Sequence, residues 1–175
     1  MAITAQKPPT LQTERLVLRA LKDGDAKPIS LYVGDIRVAE NLAVVPHPYP
    51  DGAAEAFIAS ALNDGDEMVW VMSRGGNLIG LISITLVGDA EGNVGYWLAP
   101  DHWGNGFVTE SLEALVEFAR GRFQRLNARV HQGNHASARV LVKCGFVYVG
   151  NIQSHSAARN EVVNSWTYVL ELGHE

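Results

Sequence analysis

The sequence predicts an α/β (α+β) fold, a single mixed, mostly antiparallel, twisted sheet of six to seven strands with helices on both faces. Three observations predict it. Segments alternating with period two, at 15–19, 68–73, 78–87, 93–98, 126–131, 146–149 and 162–170, are interleaved with segments of helical period at 24–33, 53–62, 107–120 and 136–144. The three central strand segments are joined only by Gly75-Gly76-Asn77 and by residues 88–92, and such tight turns make an antiparallel meander. A chain of 175 residues, 47% apolar and 19% charged, supports one core and gives no sign of a boundary between two.

The elements follow in order. Residues 1–12 carry Lys7, Pro8 and Pro9 without periodicity and read as a flexible N-terminal segment, leaving a single domain at 13–172. Arg15-Leu16-Val17-Leu18-Arg19 alternates as a half-buried strand does. Asp23, Gly24 and Asp25 then open a helix over 24–33, since an aspartate at a helix start accepts backbone N–H bonds. His47-Pro48-Tyr49-Pro50-Asp51-Gly52 is irregular because proline lacks the donor, and it reads as a substrate lid or as a plain connector. On the strand over 78–87, Leu78, Ile82, Ile84 and Leu86 share one face while Ile79, Leu81 and Val87 share the other, so this strand is central and covered on both sides. Val108, Leu112, Leu115, Val116 and Ala119 form the buried stripe of the helix over 107–120.

Composition excludes several classes. Fourteen Lys and Arg against nineteen Asp and Glu give a formal net charge of −5, which argues against a nucleic-acid partner. One cysteine, Cys144, makes an intramolecular disulfide or a thiolate zinc cage impossible and fits a reducing cytoplasm. The longest apolar stretch, 78–87, is broken by Gly80, Ser83 and Thr85 and falls short of the ~18 residues of a membrane span. No signal peptide is read at the start, and no membrane partner is expected.

The most informative segment is Trp97-Leu98-Ala99-Pro100-Asp101-His102-Trp103-Gly104-Asn105-Gly106-Phe107-Val108-Thr109-Glu110, a strand, a glycine turn and a helix start. Glycines let backbone approach a ligand, and the first helical turn offers unpaired N–H donors, which together suit a pyrophosphate. A dinucleotide fingerprint would need a third glycine at Thr109, and a P-loop would need Gly-Lys-Ser/Thr. The bland alternative is a turn that only leads the chain into a helix. A second segment, Asn134-His135-Ala136-Ser137-Ala138-Arg139-Val140-Leu141-Val142-Lys143-Cys144-Gly145-Phe146, joins a strand end to a short helix and a Gly-Phe exit. Asn134 and Ser137 there are also ordinary capping residues.

Together the two segments resemble the GNAT N-acetyltransferases, especially the branch that acetylates the N-termini of ribosomal proteins. Thr13-Glu14-Arg15-Leu16-Val17-Leu18-Arg19 and Gly95-Tyr96-Trp97-Leu98-Ala99-Pro100 resemble that branch too, and the likeness spans 13–172. The resemblance implies the GNAT-like acyl-CoA N-acyltransferase fold and an acetyl-CoA site without metal. It implies that the strand ending at Leu98 splays from its neighbour, so that pantetheine pairs with the backbone of Trp97, Leu98 and Ala99 and the amide near Leu98 polarises the thioester carbonyl. Trp103, Gly104, Asn105, Gly106, Phe107, Val108 and Thr109 would surround the pyrophosphate, Asn134 would bond the pantetheine arm, and Ser137 would sit near the sulfur. The sequence departs from the superfamily pattern Gln/Arg-x-x-Gly-x-Gly/Ala, with Trp103 first and Val108 last.

Acetyl transfer needs a neutral amine, donors for the developing oxyanion, a route for the amine proton and a tolerable leaving group. A thiol with pKa near ~8.5 leaves with little help. Many members carry a tyrosine acid four residues before the Gly of Gly-Phe, where this chain has Leu141, and Ser137 remains as a hydrogen-bond donor to the sulfur. The glutamate that the branch places two residues before Gly-Tyr-Trp is Asn93 here, so His155 and Glu91 are the side-chain candidates for the base, beside a water chain. An α-amine of pKa about 7.7–8.0 is roughly a tenth neutral near pH 7, whereas a lysine is neutral in about one molecule in 2,500. The expected activity is therefore direct acetyl transfer to a primary amine, with a protein N-terminus as the first acceptor. A small cationic amine of polyamine or aminoglycoside type is the second reading, and a catalytically silent acyl-CoA-binding module the third. A homodimer is carried from the resemblance alone. His131 and His135 flank a turn rather than share a helix face, which argues against a metal pair, and Cys144 reads as a small core residue.

Overall fold

Every segment of strand period enters one sheet. The computed structural model describes residues 7–63 and 65–173. Its strands are β1 Leu11–Gln12, β2 Val17–Ala20, β3 Glu67–Arg74, β4 Asn77–Leu86, β5 Glu91–Leu98, β6 Arg125–His131, β7 Val147–Ser156 and β8 Glu161–Glu171. Its helices are α1 Ala26–Val33, α2 Ile36–Ala39, α3 Ala53–Asn63, α4 Phe107–Ala119 and α5 His135–Lys143. The sheet order is β1-β2-β3-β4-β5-β6-β8-β7, and the only parallel pair among these neighbours is β5 with β6. The mixed, mostly antiparallel sheet is as expected, with eight strands where the pattern predicts six to seven. Among the described residues no helix is long and apolar enough to cross a membrane.

The additional strand is β1, where Leu11 pairs with Leu18 and Gln12 with Val17. Two residues are too few for an alternation to register in sequence, so ordered pairing begins inside the segment set aside at 1–12. Pro9 belongs to the same attachment, its carbonyl accepting the Trp70 indole N–H at 2.8 Å. Residues 1–6 lie outside the described residues.

Two buried clusters lie on opposite faces of the sheet. One packs Leu112, Leu115 and Val116 of α4 and Leu141 of α5 against Trp70, Ile82, Ile84 and Leu126. The other packs Ile29 and Val33 of α1 and Ala54 and Ile58 of α3 against Val69, Val71 and Leu81. β4 is thus central and double-faced, as its apolar run requires. The facing of its first residues differs from the expectation, since Ile79 joins Ile82 and Ile84 while Leu78 joins Leu81. A bulge explains this. Met72 pairs with Gly80 and Ser73 with Leu78, so Ile79 is the extra residue, and everything before it changes face. Gly80 is required there, because a Cβ would run into the Trp97 carbonyl oxygen and the Leu98 Cα on β5.

The start of α1 also differs. Asp25 makes no side-chain cap to α1. Its carboxylate instead accepts the Lys22 backbone N–H at 2.9 Å and two Arg19 guanidinium bonds at 2.9 and 2.8 Å, tying β2 to the helix. α2 was not signalled by any apolar stripe; Asp35 nucleates it by accepting the Arg37 N–H at 2.9 Å. β7 runs well past the predicted 146–149, because its mostly exposed edge position leaves no alternation to read.

Candidate active site

The sheet opens at its parallel pair. β5 and β6 are paired only from Glu91 with Arg125 to Val94 with Ala128. Beyond that point β5 stays on β4 as far as Leu98, and β6 stays on β8 as far as His131, so residues 95–98 and 129–131 part to form a wedge-shaped cleft. The Ala99 N–H donates to the Ile79 carbonyl on the β4 side at 2.8 Å. Strand alternation then turns the peptide groups of Leu98 and Tyr96 to the other side, into the cleft. The Leu98 carbonyl there accepts the Trp103 indole N–H at 2.7 Å. Trp97 faces away, toward α1, where its ring lies 6.3 Å from that of Tyr32.

At the wide end of the cleft the chain turns from β5 into α4. Gly104 and Gly106 have φ of +74° and +77°, which a side chain would strain, and Gly106 serves as N-cap without any side-chain cap. The first N–H of this stretch to find a backbone acceptor is that of Glu110, bonded to the Gly106 carbonyl at 3.0 Å. Among the described residues the amides of Gly104, Asn105, Gly106, Phe107, Val108 and Thr109 have no protein acceptor, and they stand at the positive end of a helix of thirteen residues. The chemistry of that donor row fits a diphosphate.

The turn is braced from behind by residues whose role the sequence did not disclose. Glu110 Oε1 accepts the Thr13 hydroxyl and the Arg15 backbone N–H, each at 2.7 Å, and its Oε2 accepts Arg15 Nε at 2.7 Å. Arg15 Nη1 in turn donates to the Asn105 carbonyl at 2.8 Å, tying the turn to the segment that leads into β2. The guanidinium carbons of Arg15 and Arg74 lie 4.5 and 4.9 Å from the centre of the buried Phe107 ring. Burial alone would raise the Glu110 carboxyl, but the bonds from Thr13 and Arg15 outweigh it and hold the group below the usual carboxylate range. The threonine and arginine of the Thr13-Glu14-Arg15 phrase are the signal that the sequence carries for this brace.

On the opposite wall α5 begins at the end of β6. Asn134 caps it, its Oδ1 accepting the Ser137 N–H at 3.3 Å. Ser137 Oγ lies 2.7 Å from the Tyr96 phenol oxygen, which also stands 3.3 Å from the Ser137 carbonyl. Burial pushes the Tyr96 phenol well above the ordinary tyrosine range, and the bond to Ser137 draws it back only in part.

The structure brings Leu98, Trp103, the 104–109 turn, Asn134 and Ser137 around one cleft, while the Trp97 ring faces α1 and the Ala99 N–H is bonded to Ile79 on β4. It does not bring Glu91 to the cleft. Glu91 opens β5 where that strand is still paired with β6, seven residues and about 23 Å from Leu98. Its carboxylate is held by Arg125 at 3.6 Å and by Asn127 at 3.3 Å. His155 is exposed on the β7–β8 hairpin opposite Val162, three residues beyond the Ser165 that pairs with the last residue of β6. His131, weighed in the sequence only as a metal ligand, is buried at the cleft mouth, and its Nδ1 donates to the Glu40 carbonyl at 3.1 Å. Arg159 Nε donates to the same carbonyl at 3.0 Å, and the Ala157 N–H donates to the Ala43 carbonyl at 3.0 Å. The start of the segment between α2 and α3 is thereby docked on β6 and the hairpin. Among the described residues no group of three His, Cys, Asp or Glu is placed to hold a metal. Burial, with Glu113 adding to it, pushes the Cys144 thiol up to about 11. That thiol points to the Thr109 carbonyl at 3.8 Å, between α5 and α4.

Comparison with known proteins agrees with this geometry. Residues 15–147 match the family model described as an acetyltransferase (GNAT) domain. The uncharacterized N-acetyltransferase p20 of Bacillus licheniformis is 24% identical over 171 residues, covering 92% of this chain and 95% of that protein. The structure of RimL, a ribosomal-protein α-N-acetyltransferase in complex with coenzyme A, superposes with a TM-score of 0.82 at 18% identity, covering 94% of this chain and 98% of that one. Spermidine N-acetyltransferase from Vibrio cholerae, in complex with coenzyme A and spermine, superposes with a TM-score of 0.78 at 20% identity, covering 90% and 96%. With the family model matched over most of its length, the chain belongs to the GNAT family of acetyl-CoA-dependent N-acetyltransferases.

Proposed function

We propose that this N-acetyltransferase acetylates the N-terminal α-amine of a protein, by direct transfer and without a covalent enzyme intermediate. The observation that carries the acceptor reading is the lining of the cleft. Residues 95–98 of β5, 129–131 of β6 and 134–137 at the start of α5 include no carboxylate, and Glu91 is engaged by Arg125 outside the cleft. An α-amine, about a tenth neutral at pH 7, is the amine that least needs a strong base. A polycation would be drawn by acidic groups, and these three segments hold none. The likeness to RimL, over nearly the full length of both chains, supports the same reading.

In this reading the amides of Gly104 to Thr109 cradle the diphosphate of acetyl-CoA, with Trp103 alongside. The backbone from Tyr96 to Leu98 pairs with the pantetheine arm through the peptide groups that face the cleft, and the Leu98 N–H donates to the thioester oxygen as charge develops on it. Asn134 uses its free amide on the arm while its oxygen caps α5. Ser137 donates to the leaving sulfur.

The test is an acceptor panel at saturating acetyl-CoA, read as thiol release. Peptides beginning with serine or alanine are compared with spermidine, spermine and an aminoglycoside. Turnover of unblocked peptides and none of N-formylated ones is expected. Turnover confined to the polyamines or the aminoglycoside would replace this reading with the small-molecule one, toward which the spermidine enzyme's similar fold points.

A further inference from the structure

The cleft is bridged at one point. Tyr96 reaches from β5, one wall, to Ser137 in the first turn of α5, the other wall, and the two hydroxyl oxygens are 2.7 Å apart. A hydroxyl carries a single hydrogen, so the direction of this bond decides what Ser137 can do next. Burial keeps the phenol protonated at every working pH, so although either oxygen can donate across this contact, the phenol always has a hydrogen to give. Its nearer acceptor is Ser137 Oγ, the carbonyl of the same residue being 3.3 Å away. Among the described residues Ser137 Oγ has no other partner, so with the phenol donating to it the serine hydrogen is free to point into the cleft. Leu141, one turn further along α5, is fully buried and offers no hydroxyl.

We infer that Tyr96 is a positioning residue for acetyl transfer: by donating to Ser137 Oγ it aims the serine hydrogen at the place where the thioester sulfur departs. This rests on the acetyl-transfer reading of the cleft. In the step itself the neutral amine nitrogen bonds to the carbonyl carbon, the carbon–sulfur bond breaks, and its electron pair stays on sulfur. Ser137 stabilises that charge by a hydrogen bond, and both Ser137 and Tyr96 keep their own protons. The amine gives its extra proton to water, and the thiolate takes one from water on release. A serine held in one orientation is worth more at the moment of charge separation than one that must be ordered first.

Tyr96→Phe, Ser137→Ala and the double variant test this with an accepted amine at saturation. Wild-type turnover and acetyl-CoA affinity test the acetyl-transfer reading by themselves, and the ratios between variants test Tyr96. The expected result is a kcat lowered about ten-fold in each single variant, a Kd for acetyl-CoA within two-fold of wild type, and no further loss in the double variant. Unchanged kcat in either single variant would overturn the inference. So would a second full loss when Tyr96→Phe is added to Ser137→Ala, or a fall in acetyl-CoA affinity that matches the fall in kcat. A Tyr96→Phe protein that failed to fold would overturn it as well, since the phenol would then hold the fold and not the serine.

Discussion

Arg15 and Glu110 stand 95 positions apart in the chain and are joined twice, through the arginine backbone N–H and through its Nε, each at 2.7 Å. The pair fastens the beginning of β2 to the first turn of α4, and Arg15 then holds the Asn105 carbonyl at 2.8 Å. An ion pair with a guanidinium this exposed adds little stability by itself. Its effect belongs to the shape of the donor row. Arg15→Ala is therefore expected to weaken acetyl-CoA binding about ten-fold while lowering Tm by only a few degrees. Calorimetric titration beside a thermal melt checks both, and loss of stability without loss of affinity would contradict the bracing role.

Glu110 carries a pH signature. Its folded pKa lies below the ordinary value, so the unfolded chain takes up the proton first as pH falls. The stability it contributes is fully present above the unfolded value of about 4.3 and is lost as pH drops through the lower folded value. Comparing denaturation of the wild type and Glu110→Gln, the advantage of the wild type should be constant above pH 5 and shrink below pH 4. An advantage that grew on acidification would have the wrong sign.

Arg19 and Asp25 make the other consequential pair. Asp25 is 2% exposed, and three hydrogen bonds from Arg19 and Lys22 outweigh the burial that would raise its pKa, so it is held below the usual carboxylate range. Arg19→Met leaves that carboxylate buried without its partner and is expected to cost about 3 kcal/mol in chemical denaturation. Asp25→Asn, which keeps an acceptor for the Lys22 N–H, should cost less.

Cys144 should be inert. With the thiol pushed up to about 11 and half-buried between α4 and α5, almost no thiolate exists near neutrality. Alkylation by iodoacetamide at pH 7.5, followed by mass spectrometry, is expected to lag free cysteine by at least ten-fold, and Cys144→Ala should retain turnover. An acetyl adduct on this residue during turnover would contradict direct transfer.

What was legible in the sequence was whatever has a period or a spacing. The apolar runs of β3 and β4 announced a central strand with two covered faces, and Gly104 and Gly106 announced a turn into a helix. The bulge at Ile79 was invisible, because the register on a strand buried on both sides leaves no alternation to break. β1 and α2 were too short to carry a period. The surroundings of the candidate bases were hidden for a different reason. Only strand geometry puts Glu91 at the closed end of the parallel pair and His155 on the β7–β8 hairpin. Arg15 and Tyr96 were quoted as parts of phrases, and only the fold shows that they reach Asn105 and Ser137.

The splayed strands and the unpaired amides make one demand, a ligand carrying both a diphosphate and an amide-bearing arm. Titration of the purified protein with acetyl-CoA, beside an adenine nucleotide that lacks the pantetheine arm and beside the Gly104→Glu variant, tests it most directly. One saturable site that requires the arm and is abolished by Gly104→Glu is the expected result. No heat up to millimolar acetyl-CoA, or affinity unchanged in the Gly104→Glu variant, would mean that the 104–109 segment only turns the chain into α4.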